Sequence, residues 1–151
     1  MNKLKSLSDF DITKIIQKLK LPLDNILMRD EINDNLNGVG FYIINLDVSK
    51  NNGTHWTACF CHPLKSYYFD SYGFMPPSEL EHKIKPYIYN DKDIQDWNSE
   101  ACGWFCIAFI KFLHDKNDKE TAYKEFLKLF SSNTKENDMK LKEYLKEVFN
   151  E

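Results

Sequence analysis

The chain has 151 residues, 42% of them hydrophobic and 28% charged, which fits one globular domain spanning 1–151 and leaves little room for a second. Its 20 Lys and Arg against 23 Asp and Glu give a net charge of -3, without the basic surplus that sequence-independent grip on nucleic acid requires. No apolar run approaches the roughly 20 residues that cross a bilayer, and Met1 to Ser6 lacks the apolar core of a secretion signal, so a soluble, intracellular chain is expected.

The first predicted element is a helix. After the Ser8-Asp9 cap signal, Ile12, Ile15, Ile16 and Leu19 recur on one helical stripe, and Lys20-Leu21-Pro22 ends it. Leu23 to Asn37 reads as polar and irregular with a few apolar anchors. Gly38 and Gly40 then open Val39 to Leu46, a β-branched and aromatic run predicted as a buried strand. Trp56–Cys61 and Ser66–Phe69 read as two strands joined by the turn His62-Pro63-Leu64-Lys65. Ser78 to Lys85 forms a short helix, and Pro86 to Tyr89 a fourth strand that its proline confines to an edge. Asp91 to Ala101 is a polar loop. Cys102 to Leu113 is so apolar that a helix there must be buried nearly all round, which makes it the central helix. Two amphipathic helices follow, joined by Ser131 to Thr134. Helix, then strands, then helices is the order of an α+β domain.

The four cysteines fall as two close pairs, Cys59 with Cys61 and Cys102 with Cys106, in stretches read as strand and helix, and are taken as thiols. Four positions carry candidate chemistry: His55, Asp70, Gln95 and Cys102. With Pro63 second in the hairpin turn, paired residues have numbers summing to about 127, which sets Asp70 opposite Thr57 and close to His55. Cys102 heads the central helix, where unpaired backbone N–H groups and the dipole favour a thiolate. His55, Thr57, Cys59 and Cys61 share one strand face, and a central helix packed there would bring imidazole and thiol together. In that arrangement His55 takes the thiol proton and returns it to a leaving amine, and Asp70 fixes the ring. The backbone N–H of Cys102 and the amide of Gln95 then serve as oxyanion donors.

At these residues the sequence resembles a known family. Gly53-Thr54-His55-Trp56, Phe69-Asp70-Ser71-Tyr72-Gly73-Phe74 and Gln95 through Cys106 are similar to adenain, the adenovirus maturation protease, and to its relatives in virophages and Polinton-type elements. The proteases that release SUMO and other ubiquitin-like modifiers are more distant kin. Met28-Arg29-Asp30-Glu31, which holds the chain's only arginine, is a weaker match to a stretch ahead of the first strand in the virophage-type members. The resemblance implies a papain-like cysteine protease fold with permuted element order, a small mixed sheet and flanking helices, and a central helix headed by the nucleophile. It implies His55, Asp70 and Cys102 as triad, Gln95 and Cys102 in the oxyanion hole, and Trp56 as the wall of a groove that admits little more than glycine. In the viral members it implies cleavage of capsid and core precursors during assembly, in the virion or infected cell, commonly after a small residue.

Two departures stand against the family pattern. Asp70 replaces the glutamate of the adenovirus enzymes. No cysteine occurs near Pro86 to Asn90, where those enzymes link their peptide cofactor, and the acidic balance speaks against DNA as activator. No metal or other cofactor, no membrane and no permanent partner are expected: the reading is a monomer acting on polypeptides. Competing readings are a deconjugating protease for ubiquitin-like modifiers, a metal module built on Cys59, Cys61, His62, Cys102 and Cys106, and an inactive interaction protein.

Overall fold

The computed structural model describes residues 4–50 and 55–151. Expectations that rest on Met1 to Lys3, or on the Gly53-Thr54 half of the first motif, lie outside the described residues.

Helix α1 (Asp9–Lys18) begins with a reciprocal cap. The Asp11 N–H donates to Ser8 Oγ, and the Ser8 N–H donates to the Asp11 carboxylate, which satisfies two donors that a helix start leaves open. Its apolar stripe buries Ile12 and Ile16. Next come β1 (Asn25–Met28), a 3-10 turn (Arg29–Glu31) and α2 (Ile32–Asn35). This is where the irregular reading of Leu23 to Asn37 is corrected. Four residues between polar flanks are too few to display a period, so their strand state comes from pairing, parallel to β2 (Gly40–Asn45), with Ile26 beside Ile43.

Strands β3 (Trp56–Cys61) and β4 (Ser66–Phe69) form the expected hairpin. Ala58 pairs with Phe69, Cys59 with Tyr68 and Phe60 with Tyr67, the register set by the proline turn. Helix α3 (Ser78–Ile84) leads to β5 (Tyr87–Tyr89), parallel to β4 at the sheet edge. The sheet has five strands in the order β1-β2-β3-β4-β5, and the extra strand over the sequence reading is β1.

Helices α4 (Cys102–His114), α5 (Lys119–Lys128) and α6 (Thr134–Phe149) complete the chain. Asp118 and Asn133 cap α5 and α6 through their side chains. Apolar side chains cover both sheet faces. On one, Phe41, Ile43, Ala58 and Phe69 pack with α1, α4, α5 and α6. On the other, Ile44, Cys59, Cys61 and Tyr68 meet Ile32, Leu80 and Ile84 from α2 and α3. Phe105, Ile107, Ala108, Phe109 and Ile110 are fully buried, so α4 is the central helix that its composition requires. No helix of the described residues is long and apolar enough to cross a membrane.

The face on which α4 packs differs from expectation. It lies against the Trp56, Ala58 and Phe60 side of β3, opposite Cys59 and Cys61. The two cysteine pairs are therefore separated by the sheet and cannot form one ligand set. Cys59 and Cys61 instead touch each other, Sγ to Sγ at 3.4 Å, and all four thiols are free.

Candidate active site

His55 immediately precedes β3, so strand alternation does not dictate where its ring points; this is why imidazole and thiol meet although α4 covers the other face. The His55 carbonyl accepts the Leu46 N–H at 3.0 Å, which anchors the residue to the end of β2. Its Nε2 lies 2.7 Å from Asp70 Oδ1. Cys102 begins α4, and its Sγ accepts the Trp56 N–H at 3.5 Å. The structure thus brings together His55, Asp70 and Cys102 from the head of β3, the end of β4 and the N-terminus of α4.

Burial works against a charge on the half-buried His55 ring, but hydrogen bonding and charge from Asp70 and Cys102 outweigh it and raise its pKa from 6.5 to about 9. Nε2 faces the carboxylate, which leaves Nδ1 for the thiol. Asp70 is fully buried. Its Oδ1 also accepts the Tyr72 N–H at 2.8 Å, and its backbone is clamped by Asn90, whose Oδ1 accepts the Asp70 N–H while Nδ2 donates to the Asp70 carbonyl at 2.6 Å. A polar residue buried beside a charge must have its own groups paired, and Asn90 is paired on both sides.

Gln95 is fully buried in the loop before α4. Ser71 Oγ donates to its Oε1 at 2.5 Å, and its Nε2 donates one hydrogen to the Ser99 carbonyl at 2.8 Å. The Ile94 and Gln95 N–H groups both donate to the Ser71 carbonyl. Gly73, at φ +82°, closes the Asp70–Gly73 turn; a Cβ there would sit 2.6 Å from the Lys92 carbonyl carbon. The carboxylate turn and the glutamine loop are therefore one packed unit.

Ala101 donates its N–H to Ser99 Oγ, so the first free backbone donor of α4 is that of Cys102 itself.

Trp56 does not wall an open groove. The residue is only 6% exposed, and its indole N–H donates to the Leu7 carbonyl at 2.8 Å. Trp104 does the same to Lys5, so two indoles hold the segment before α1 along the head of α4. Leu7 fills the space beside Gly103, 3.2 Å from where a Cβ would be. An aromatic that stands open near His55 is Trp97, which lies in the third motif but to which the sequence reading gives no role. Tyr72 stacks on His55 with ring centroids 4.6 Å apart, and Trp97 stacks on Tyr72 at 4.8 Å. Isolated aromatics in polar loops give no sequence signal of stacking; only the turn at Gly73 reveals it.

This architecture, a small mixed sheet with a central helix headed by cysteine, is the papain-like cysteine protease fold in permuted order, as the sequence led us to expect. A solved example is the selenomethionine crystal structure of the ASFV pS273R protease. The two are similar at a TM-score of 0.61 and 16% identity, over 91% of this chain and 67% of that one. No protein-family model matches the sequence, and no curated protein matches it either.

Proposed function

We propose that this protein is a cysteine endopeptidase. The observation that carries the reading is an imidazole held between a buried carboxylate, 2.7 Å away, and a thiol at a helix N-terminus. His55 takes the Cys102 proton, and the sulfur attacks the scissile carbonyl carbon, whose π electrons move to oxygen. The oxyanion is received by the Cys102 N–H, and the resemblance adds the Gln95 amide hydrogen that Ser99 does not use, although the side chain is buried in this structure. As the C–N bond breaks, His55 hands its proton to the leaving amine and a thioester remains. Water then attacks, His55 removes its proton, and the acid is released as the thiol re-forms. Asp70 holds the ring throughout and stabilises its charged form. The Trp56 N–H, aimed at Sγ, stabilises the thiolate.

The finer reading is cleavage after a small residue such as glycine in capsid and core precursors during virion maturation, in the adenain-like manner. It is supported by the order His, Asp, Cys with Gln seven residues before Cys, and by the name protease on a viral protein of the same fold. Leu7 crowds Gly103 and so explains why residue 103 carries no side chain; the preference for a small substrate residue rests on the resemblance, since the buried Trp56 does not wall a groove. The test is an assay on peptides containing Gly-Gly or Gly-X against bulky-residue controls. We expect cleavage after glycine only, and none by Cys102→Ala, whose melting temperature stays within about 3 °C of the parent. Equal cleavage of all peptides would reject the narrow site, and turnover by Cys102→Ala would reject the nucleophile. Cleavage of a ubiquitin-like modifier fusion in place of the precursors would point to deconjugation.

A further inference from the structure

Resting on the protease reading, we infer that Trp97, presented by Tyr72, recognises the residue that follows the scissile bond and selects an apolar side chain there. The argument starts from a single proton. His55 must deliver it to the leaving amine, so the departing half of the substrate passes the imidazole. Tyr72 lies against that imidazole at 4.6 Å, and Trp97 lies nearly parallel to Tyr72, at 11° and 4.8 Å. One aromatic column thus runs from the base outward on the leaving side.

Trp97 is 68% exposed, in a loop whose other members are mostly polar. A large exposed indole gains nothing for the fold beyond its contact with Tyr72, while its outer face offers a flat apolar surface to a ligand. That face is fixed before any ligand arrives. Gln95 is locked into the Ser71 turn, Asp96 accepts the Thr134 hydroxyl at 3.2 Å, and the Ser99 N–H closes a turn on the Asp96 carbonyl. A pre-organised surface costs less entropy to bind. Phe74 and Met75, both more than half exposed, continue the apolar character just past Tyr72.

The experiment compares two peptides identical through the scissile glycine, one with Phe and one with Gly after it. For the parent protein we expect kcat/KM for the Phe peptide to exceed that for the Gly peptide by about 10-fold or more. In Trp97→Ala that ratio falls to within about 2-fold of one, and Trp97→Phe restores most of it. Leu64→Ser, at an exposed residue in the β3–β4 turn, leaves the ratio unchanged. A parent that cleaves both peptides equally, or a Trp97→Ala variant that loses rate with its ratio intact, overturns the inference and leaves the protease reading standing. A parent that cleaves neither overturns both.

Discussion

His55 is the residue on which the proposed chemistry turns. Raised from 6.5 to about 9, its protonated form stabilises the fold fully below pH 6.5, and that contribution fades as pH climbs through about 9. Activity that depends on a charged imidazole beside a thiolate follows the same limit, so kcat/KM should fall on an alkaline limb centred near pH 9. Asp70→Asn removes the charge and keeps the shape. It should move that limb to lower pH and cut kcat/KM by about 100-fold or more, measured across a pH series. An unmoved limb would mean that another group sets it. These three residues were legible because a local rule linked two of them: the proline turn fixes the register that brings Asp70 beside His55. Asn90 was not legible, since its two bonds to the Asp70 backbone join positions twenty apart in the chain, and nothing in a single asparagine reveals a distant partner.

At the scale of elements, α4 carries the proposed nucleophile and its neighbours hold the loop before it. Asn137 of α6 is fully buried; its Nδ2 donates to the carbonyls of Ile94 and Ser131, and its Oδ1 accepts the Ser131 N–H. It therefore fastens α6 to the residue preceding Gln95. Asn137→Ala leaves buried backbone groups unpaired and should cost about 3 kcal/mol by urea unfolding, with a larger proportional loss of activity than of folded protein at low denaturant. The apolar run that made α4 central was plain in the sequence, but the side of β3 it covers was not. Both faces of that strand are apolar, Ala58 and Trp56 on one, Cys59 and Cys61 on the other, so alternation carries no information about which helix lies where. The strand β1 was hidden for another reason, because its state depends on a parallel partner fifteen or more residues away.

The whole molecule is organised by the layer that α4 forms with the sheet. Phe109 packs on Phe69 with ring centroids 5.6 Å apart and meets Tyr123 and Phe126 edge-on, joining sheet, central helix and α5. Phe109→Ala should destabilise by about 4 kcal/mol, read from the urea midpoint, and a change below about 1 kcal/mol would show that the layer is held elsewhere. On the opposite face, the single arginine has a structural use. Arg29 forms a two-pronged bond with Glu79 that fastens the end of β1 to α3 and holds the Glu79 carboxyl down at about 2. That contribution is present above pH 4.5 and is lost as pH falls towards 2; both side chains are about a third exposed or more, so it is small. The central claim, an activated thiol at the head of α4, has a direct test. The folded protein is treated with a limiting thiol-directed electrophile at pH 6, and mass spectrometry identifies which of the four cysteines carries the label. Cys102 should be labelled alone and fast, with the rate falling in His55→Ala; slow labelling that is no faster at Cys102 than at the other three thiols would contradict the account.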